Sequence, residues 1–241
     1  SLNTSCKHAV MKHVSFFLAA CLIWFAPTAL AGSDQPARVL ELFTSQGCSS
    51  CPPANKFTGK VANDASTLVL SYGVTYWDYK GWKDTFAKPE FTNRQHSYGR
   101  YFENDKVYTP QMVLNGSAHG SKYSKRDIRS MSLPASRPRI SLNNEAGMLR
   151  AKPDPGTANL NYDVLLVEYV PGPQSVPVKS GENRGRIMTL TNVVTSVKTI
   201  GRWSGSHMIS TNVRPVAGKA YALLLQEPGT MKVAGAARYQ P

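Results

Sequence analysis

The sequence predicts a mixed α/β protein in two parts, an N-terminal segment where strands and helices alternate and a C-terminal segment made of strands alone. Three observations carry this expectation. Short apolar runs at Arg38–Thr44, Leu68–Tyr72 and Gln111–Leu114 are separated by stretches with helical character. Past residue 136 the helical periodicity fades, and alternating strands punctuated by Gly and Pro take over. A cysteine pair, Cys48 and Cys51, lies between the first strand and the first helix. The chain has 241 residues and 41% hydrophobic content, enough to bury a substantial core.

Residues 1–31 read as a leader rather than as fold. A basic stretch, Lys7 to His13, precedes an apolar run, Val14 to Phe25. Small residues then end in Ala29-Leu30-Ala31, the pattern of a secretory signal peptide cleaved after Ala31. Leu18-Ala19-Ala20-Cys21 resembles a lipoprotein box, which makes lipidation at Cys21 the minor alternative, since apolar residues continue past it. Cleavage removes Cys6 and Cys21, leaving two cysteines, and lowers the net charge from +13 to +11 by removing two lysines and no acid. The expected location is periplasmic or secreted. The basic surplus is scattered, without the aromatic-interleaved patch of a nucleic-acid binder. Association with anionic envelope surfaces is one consequence of such charge, and solubility alone is the simpler explanation.

The elements follow in order. "RVLELFT", Arg38 to Thr44, is a buried strand. Pro52 to Asn63 is a helix, because proline at the first helical position loses no hydrogen bond. Leu68 to Tyr72 is a second strand, and the aromatic-rich stretch from Tyr76 to Phe91 connects it to a polar helix over Phe91–Phe102. Gln111 to Leu114 is a third strand, and Asn115-Gly116 after it is a type I′ hairpin signal leading to a strand near Ser117–Lys122. Ser124 with Asp127 three residues on caps a helix to about Met131. The resulting order, β-α-β-α-β-β-α, is that of the thioredoxin fold. "SLPASRPR", Ser132 to Arg139, reads as a linker. The expected fold is therefore thioredoxin-like over residues 32–136, with an all-β, sandwich-like extension over 137–241.

The cysteine pair admits three readings. As a redox centre, Cys48 is the nucleophile, its thiolate favoured by the helix N-terminus, and Cys51 is the resolving thiol. Gly47 gives a substrate backbone room to approach. As a metal site, two thiolates suit Cu(I) but lack the further donors zinc requires, and only His96, His119 and His207 remain after cleavage. As a staple, so short a loop constrains little. The redox reading gains from Thr109-Pro110, where a proline directly before the third strand cannot sit inside a ladder. Such a proline, taken to be cis, supports the substrate side of thioredoxin-like sites. Glu41, seven residues before Cys48, is a candidate proton acceptor for the resolving thiol; the alternative is a strand carboxylate paired with Arg38 or a lysine. Trp77 and Asp78 after the second strand are candidates for a substrate groove, with Tyr79 and Trp82 beside them. No cofactor is expected.

"ELFTSQGCSSCPPA", "YWDYKGWKD", "VYTPQMVLNG" and "GENRGRIMTLTNVV" together resemble an exported bacterial family catalogued as domain-of-unknown-function family 1223, within the thioredoxin-like superfamily. The resemblance implies a thioredoxin-like fold with a β-rich extension, and carries over Cys48, Cys51 and Pro110 as redox positions. It supplies no reaction. Ser49-Ser50 between the cysteines differs from the Gly-Pro of reductases and the Pro-His of strong oxidases, which leaves the direction of electron flow open. Pro52-Pro53 places Cys51 near the helix cap. The expected function is that of an exported thiol–disulfide oxidoreductase acting on protein or small thiols with an unidentified redox partner; the alternatives are a binding protein with a structural disulfide and a Cu(I) carrier.

Overall fold

The computed structural model describes residues 34–102, 106–153, 161–204 and 207–241. The leader expected over 1–31, with Cys21, lies outside the described residues. Eleven strands and three α-helices follow one another among the described residues. The first seven are β1 (Arg38–Thr44), α1 (Pro52–Val61), β2 (Thr67–Gly73), α2 (Pro89–Tyr101), β3 (Gln111–Leu114), β4 (Ala118–Gly120) and α3 (Lys125–Ser130). A 3-10 turn, Asp78–Lys80, interrupts the connection between β2 and α2. Then come β5 (Ile140–Glu145), β6 (Met148–Pro153), β7 (Tyr162–Pro177), β8 (Ile187–Trp203), β9 (Ile209–Ser210), β10 (Ala220–Gln226) and β11 (Val233–Tyr239).

Local chemistry explains the boundaries. Both α1 and α2 start on a proline, which is pre-set for helix and lacks only a hydrogen bond that no first-turn residue makes. In α3 the Ser124 side chain accepts from Asp127 N while the Asp127 carboxylate accepts from Ser124 N, a complete capping box. Asn115 and Gly116 both take positive φ, 51° and 63°, as the predicted tight turn between β3 and β4 demands.

Eight strands form one sheet in the order β11-β10-β7-β8-β2-β1-β3-β4. β1 pairs parallel with β2, β3 antiparallel with β1, and β4 antiparallel with β3. β8 meets β2 in parallel at Ser71 and Val193, and Ser71 Oγ donates to Thr191 O at 2.7 Å. A second sheet, β5-β6-β9, is separate. Side-chain alternation along β1 divides the core. Leu40 and Leu42 pack with Ala54 and Val61 of α1, while Val39 and Phe43 pack with Phe91 and Tyr98 of α2. The α2-side core runs on without a break to Leu165, Val194 and Leu224. On the opposite side of β7 and β10, Val164, Leu166 and Leu223 pack against Ile140, Leu142 and Leu149 of the small sheet.

Residues 137–241, expected as a domain of their own, instead contribute half the strands of the large sheet, and residues 31–241 form one compact unit. The sandwich-like expectation holds in part, because two β layers do face each other. One of those layers, however, belongs to the sheet shared with β1 and β2. The segment 132–139 is anchored at its start: Leu133 is buried, its N–H bonds Ala37 O at 2.7 Å, and Ser132 Oγ accepts from Arg38 at 3.1 Å.

Candidate functional site

The site begins where β1 ends. Cys48 N–H bonds Ser45 O and Cys51 N–H bonds Cys48 O, each at 3.2 Å, so two successive turns lead into α1 with Cys51 as its N-cap. Cys48 and Cys51 form a disulfide with Cα atoms 5.4 Å apart. Cys48 Sγ lies 3.3 Å from Ser50 Oγ, which reaches Thr109 O at 3.4 Å. The Thr109–Pro110 peptide is cis. Trp77 Nε1 donates to Thr109 Oγ1 at 2.7 Å and closes this edge. The structure thus brings together Cys48, Cys51, Thr109, Pro110 and Trp77.

The loop before the cysteines is held from both sides by Gln46, which is fully buried. Its N–H donates to Asp84 Oδ2 at 2.6 Å, and its Oε1 accepts from Trp82 Nε1 at 2.8 Å. Burial pushes the Asp84 carboxyl above the usual aspartate range, against the opposing pull of the backbone N–H groups of Gln46 and Phe86. Asp78 accepts from Asp84 N at 3.1 Å and so helps shape this loop. Trp77 borders Gly47: a Cβ on the glycine would stand in ordinary contact with Trp77 Cβ, at 3.4 Å.

Glu41 is the clearest departure from expectation. It lies on the α2 face of β1, where Arg94 Nε and Nη2 bind its two oxygens at 2.7 and 2.9 Å and the Tyr98 hydroxyl adds a short third bond. α1 packs on the other face, against Leu40 and Leu42. The strand's two-residue period therefore turns Glu41 away from the helix that carries the cysteines. It is a buried ion-pair residue, as the alternative held in kind, although the partner is Arg94 and neither Arg38 nor a lysine. A groove of about 550 Å³ opens on this face between α2 and the strands β7, β8 and β10, and the Arg94 guanidinium in its wall is committed to Glu41.

Both cysteines have 0% exposure. Their roof comes from far along the chain. Val178, Met188, Leu190 and Val193 pack on them, with Trp77, Trp82 and Phe86 at the margin. The turn joining β7 to β8 carries Asn183, itself fully buried, whose Nδ2 donates to Gln46 O at 2.9 Å and Cys48 O at 2.8 Å. Beside it Glu182 bonds Ser49 and pairs with Lys80 at 3.5 Å; these contacts hold its carboxyl below the usual glutamate range. Sequence reasoning missed Gln46, Asp84, Glu182 and Asn183. Gly181 and Gly185, at φ of 74° and 81°, mark a turn in "GENRGR", but nothing local says over what it folds.

Pro52 and Pro53 shape the electrostatics. A helix normally offers unpaired first-turn N–H groups to an anion at its cap. Here the first two are absent, and the Cys51 cap accepts no side-chain hydrogen bond. His119 bonds the Tyr108 hydroxyl at 2.9 Å and stacks on Phe102. Among the described residues no three His, Cys, Asp or Glu side chains converge as metal ligands.

The model of a family described as "Protein of unknown function (DUF1223)" matches residues 39–226. The chain belongs to this family. The matched span runs from β1 through β10 and so includes both the cysteine turn and the hairpin roofing it. The crystal structure of protein AGR_C_4864 from Agrobacterium tumefaciens is similar at 30% identity and a TM-score of 0.69, over 86% of this chain and 95% of that one. HBP35 of Porphyromonas gingivalis is similar in fold at 13% identity and a TM-score of 0.56, over 87% of this chain and 76% of its own. No curated protein matches.

Proposed function

We propose that the chain is an exported, thioredoxin-like thiol–disulfide oxidoreductase working through Cys48 and Cys51. The observation that carries this is the seating of the disulfide at the start of α1 beside Thr109 and Pro110, with Ser50 Oγ reaching both Cys48 Sγ and Thr109 O. The β-α-β-α-β-β-α order of the first seven elements supports the thioredoxin-like assignment, and the leader-like residues 1–31 support export to the periplasm.

In the oxidising direction a substrate thiolate attacks Cys48 Sγ. The Cys48–Cys51 bond breaks, and Cys51 leaves with the electron pair and takes up a proton. A second substrate thiolate then attacks the mixed disulfide and releases Cys48, so the substrate gains a disulfide and the protein gains two thiols. The reducing direction is the reverse, with Cys48 attacking and Cys51 resolving. The partners are thiol or disulfide proteins and a redox partner that resets the pair.

Complete burial of both sulfurs favours a second reading, a binding protein whose disulfide is structural. The reduction potential, measured by equilibration with glutathione buffers, separates the two. A value between about −270 and −120 mV marks an exchangeable pair, whereas one below about −300 mV marks a structural one. Under the oxidoreductase reading, Cys48→Ser abolishes exchange with protein disulfides; full activity in that variant excludes the mechanism. Copper bound stoichiometrically by the reduced form alone identifies a Cu(I) carrier instead.

A further inference from the structure

We propose that the turn between β7 and β8, residues 178–186, is a lid over the Cys48–Cys51 disulfide and that Asn183 is its latch. This rests on the exchange reading and adds its regulation. Val178 of the turn shares the cover with Met188, Leu190 and Val193 of β8, into which the turn runs, and with both cysteines at 0% exposure no thiolate reaches either sulfur while this cover is complete.

The lid is built to move as a unit. Val178 N–H bonds Arg186 O at 2.9 Å, Gly185 N–H bonds Val178 O at 2.8 Å, and Arg184 N–H bonds Gly181 O at 3.1 Å, so the turn keeps its own shape. Its polar attachments to the cysteine side are few. Asn183 spends its amide hydrogens on the carbonyls of Gln46 and Cys48, and Arg186 Nη1 holds the Asn183 Oδ1 at 3.1 Å. At the edge, Ser180 Oγ donates to Gly81 O at 2.5 Å, and Glu182 reaches Ser49 and Lys80. Lys179, Arg184 and Arg186 are exposed, so the turn displays cations on its outer surface.

Exchange therefore proceeds from an open state, and its rate scales with the population of that state. Asn183 touches backbone carbonyls and neither sulfur, so it holds the lid alike over a disulfide or two thiols. It sets how fast the couple reacts and leaves its equilibrium alone.

The test compares wild type with Asn183→Ala in the full chain, using dithiothreitol to reduce the disulfide and glutathione buffers to fix the potential. Loss of two hydrogen bonds raises the second-order rate about tenfold or more, with the potential unchanged. Equal rates overturn the lid, and a shifted potential with an unchanged rate assigns Asn183 to tuning instead. Should Asn183→Ala lose its cooperative melt, Ser180→Ala combined with Glu182→Gln removes the edge contacts and keeps the latch. A several-fold acceleration is expected there, and its absence overturns the proposal. A protein disulfide as second substrate separates the two ideas. Faster reaction with dithiothreitol but no protein exchange leaves the lid and removes the oxidoreductase. Protein exchange at equal rates in both forms does the opposite.

Discussion

Glu41 and Arg94 show what a single residue contributes in this fold. Their side chains are 1% and 6% exposed, so each charge depends on the other. Glu41→Gln leaves a buried guanidinium without its counter-charge, at a cost of about 3 kcal/mol. The urea midpoint should fall accordingly, while the rate of thiol exchange stays as in the wild type because no Glu41 bond reaches a cysteine. A large loss of exchange with stability intact would return Glu41 to the proton-acceptor role. Pro53 makes a second test at this scale. Pro53→Ala restores a first-turn N–H that can donate to a Cys51 thiolate, which stabilises the reduced form. The reduction potential should rise by about 30–60 mV; a fall would show that helix N–H groups do not govern this couple.

Among the elements, the β3–β4 turn and the β7–β8 hairpin do different work. Asn115 receives Val39 N–H on its side-chain oxygen and Val233 N–H on its carbonyl, so the turn ties β1 to β11. A methyl at Gly116 would overlap the Met231 carbonyl, on a residue whose φ of 63° already excludes most side chains. Gly116→Ala should therefore cost about 3 kcal/mol or more and lower the melting temperature sharply, with no direct effect on the sulfurs. The long hairpin faces the opposite problem, an open edge. β10 pairs with β7 only as far as Tyr169, and the strand beyond carries Pro171, Pro173 and Pro177. Proline cannot donate to a ladder, so these residues discourage another chain from pairing there.

At the scale of the whole molecule, the large sheet makes the two sequence segments interdependent. Cutting after residue 136 bares β2 and removes Leu165, Val194 and Leu224 from the α2-side core. A fragment of residues 34–136 should show no cooperative thermal transition by circular dichroism; a sharp one would establish an independent domain. This also explains what the sequence revealed. The Cys48–Cys51 pair, Pro110, the Asn115-Gly116 turn and the Ser124–Asp127 box were legible because each depends on residues a few positions apart. The partner of Glu41, the merging of the strands into one sheet and the role of Asn183 were not. Each is set by pairings across 50 to more than 100 residues, which periodicity does not encode.

The roof over the sulfurs also has a history in time. Asn183 lies 135 residues after Cys48, and a chain is made from its N-terminus at about 5–20 residues per second. For about seven to thirty seconds of synthesis the cysteines exist and their cover does not. Until the hairpin folds over them both thiols are open to whatever oxidant the exported chain meets, and the arrival of the hairpin then seals whichever bond has formed.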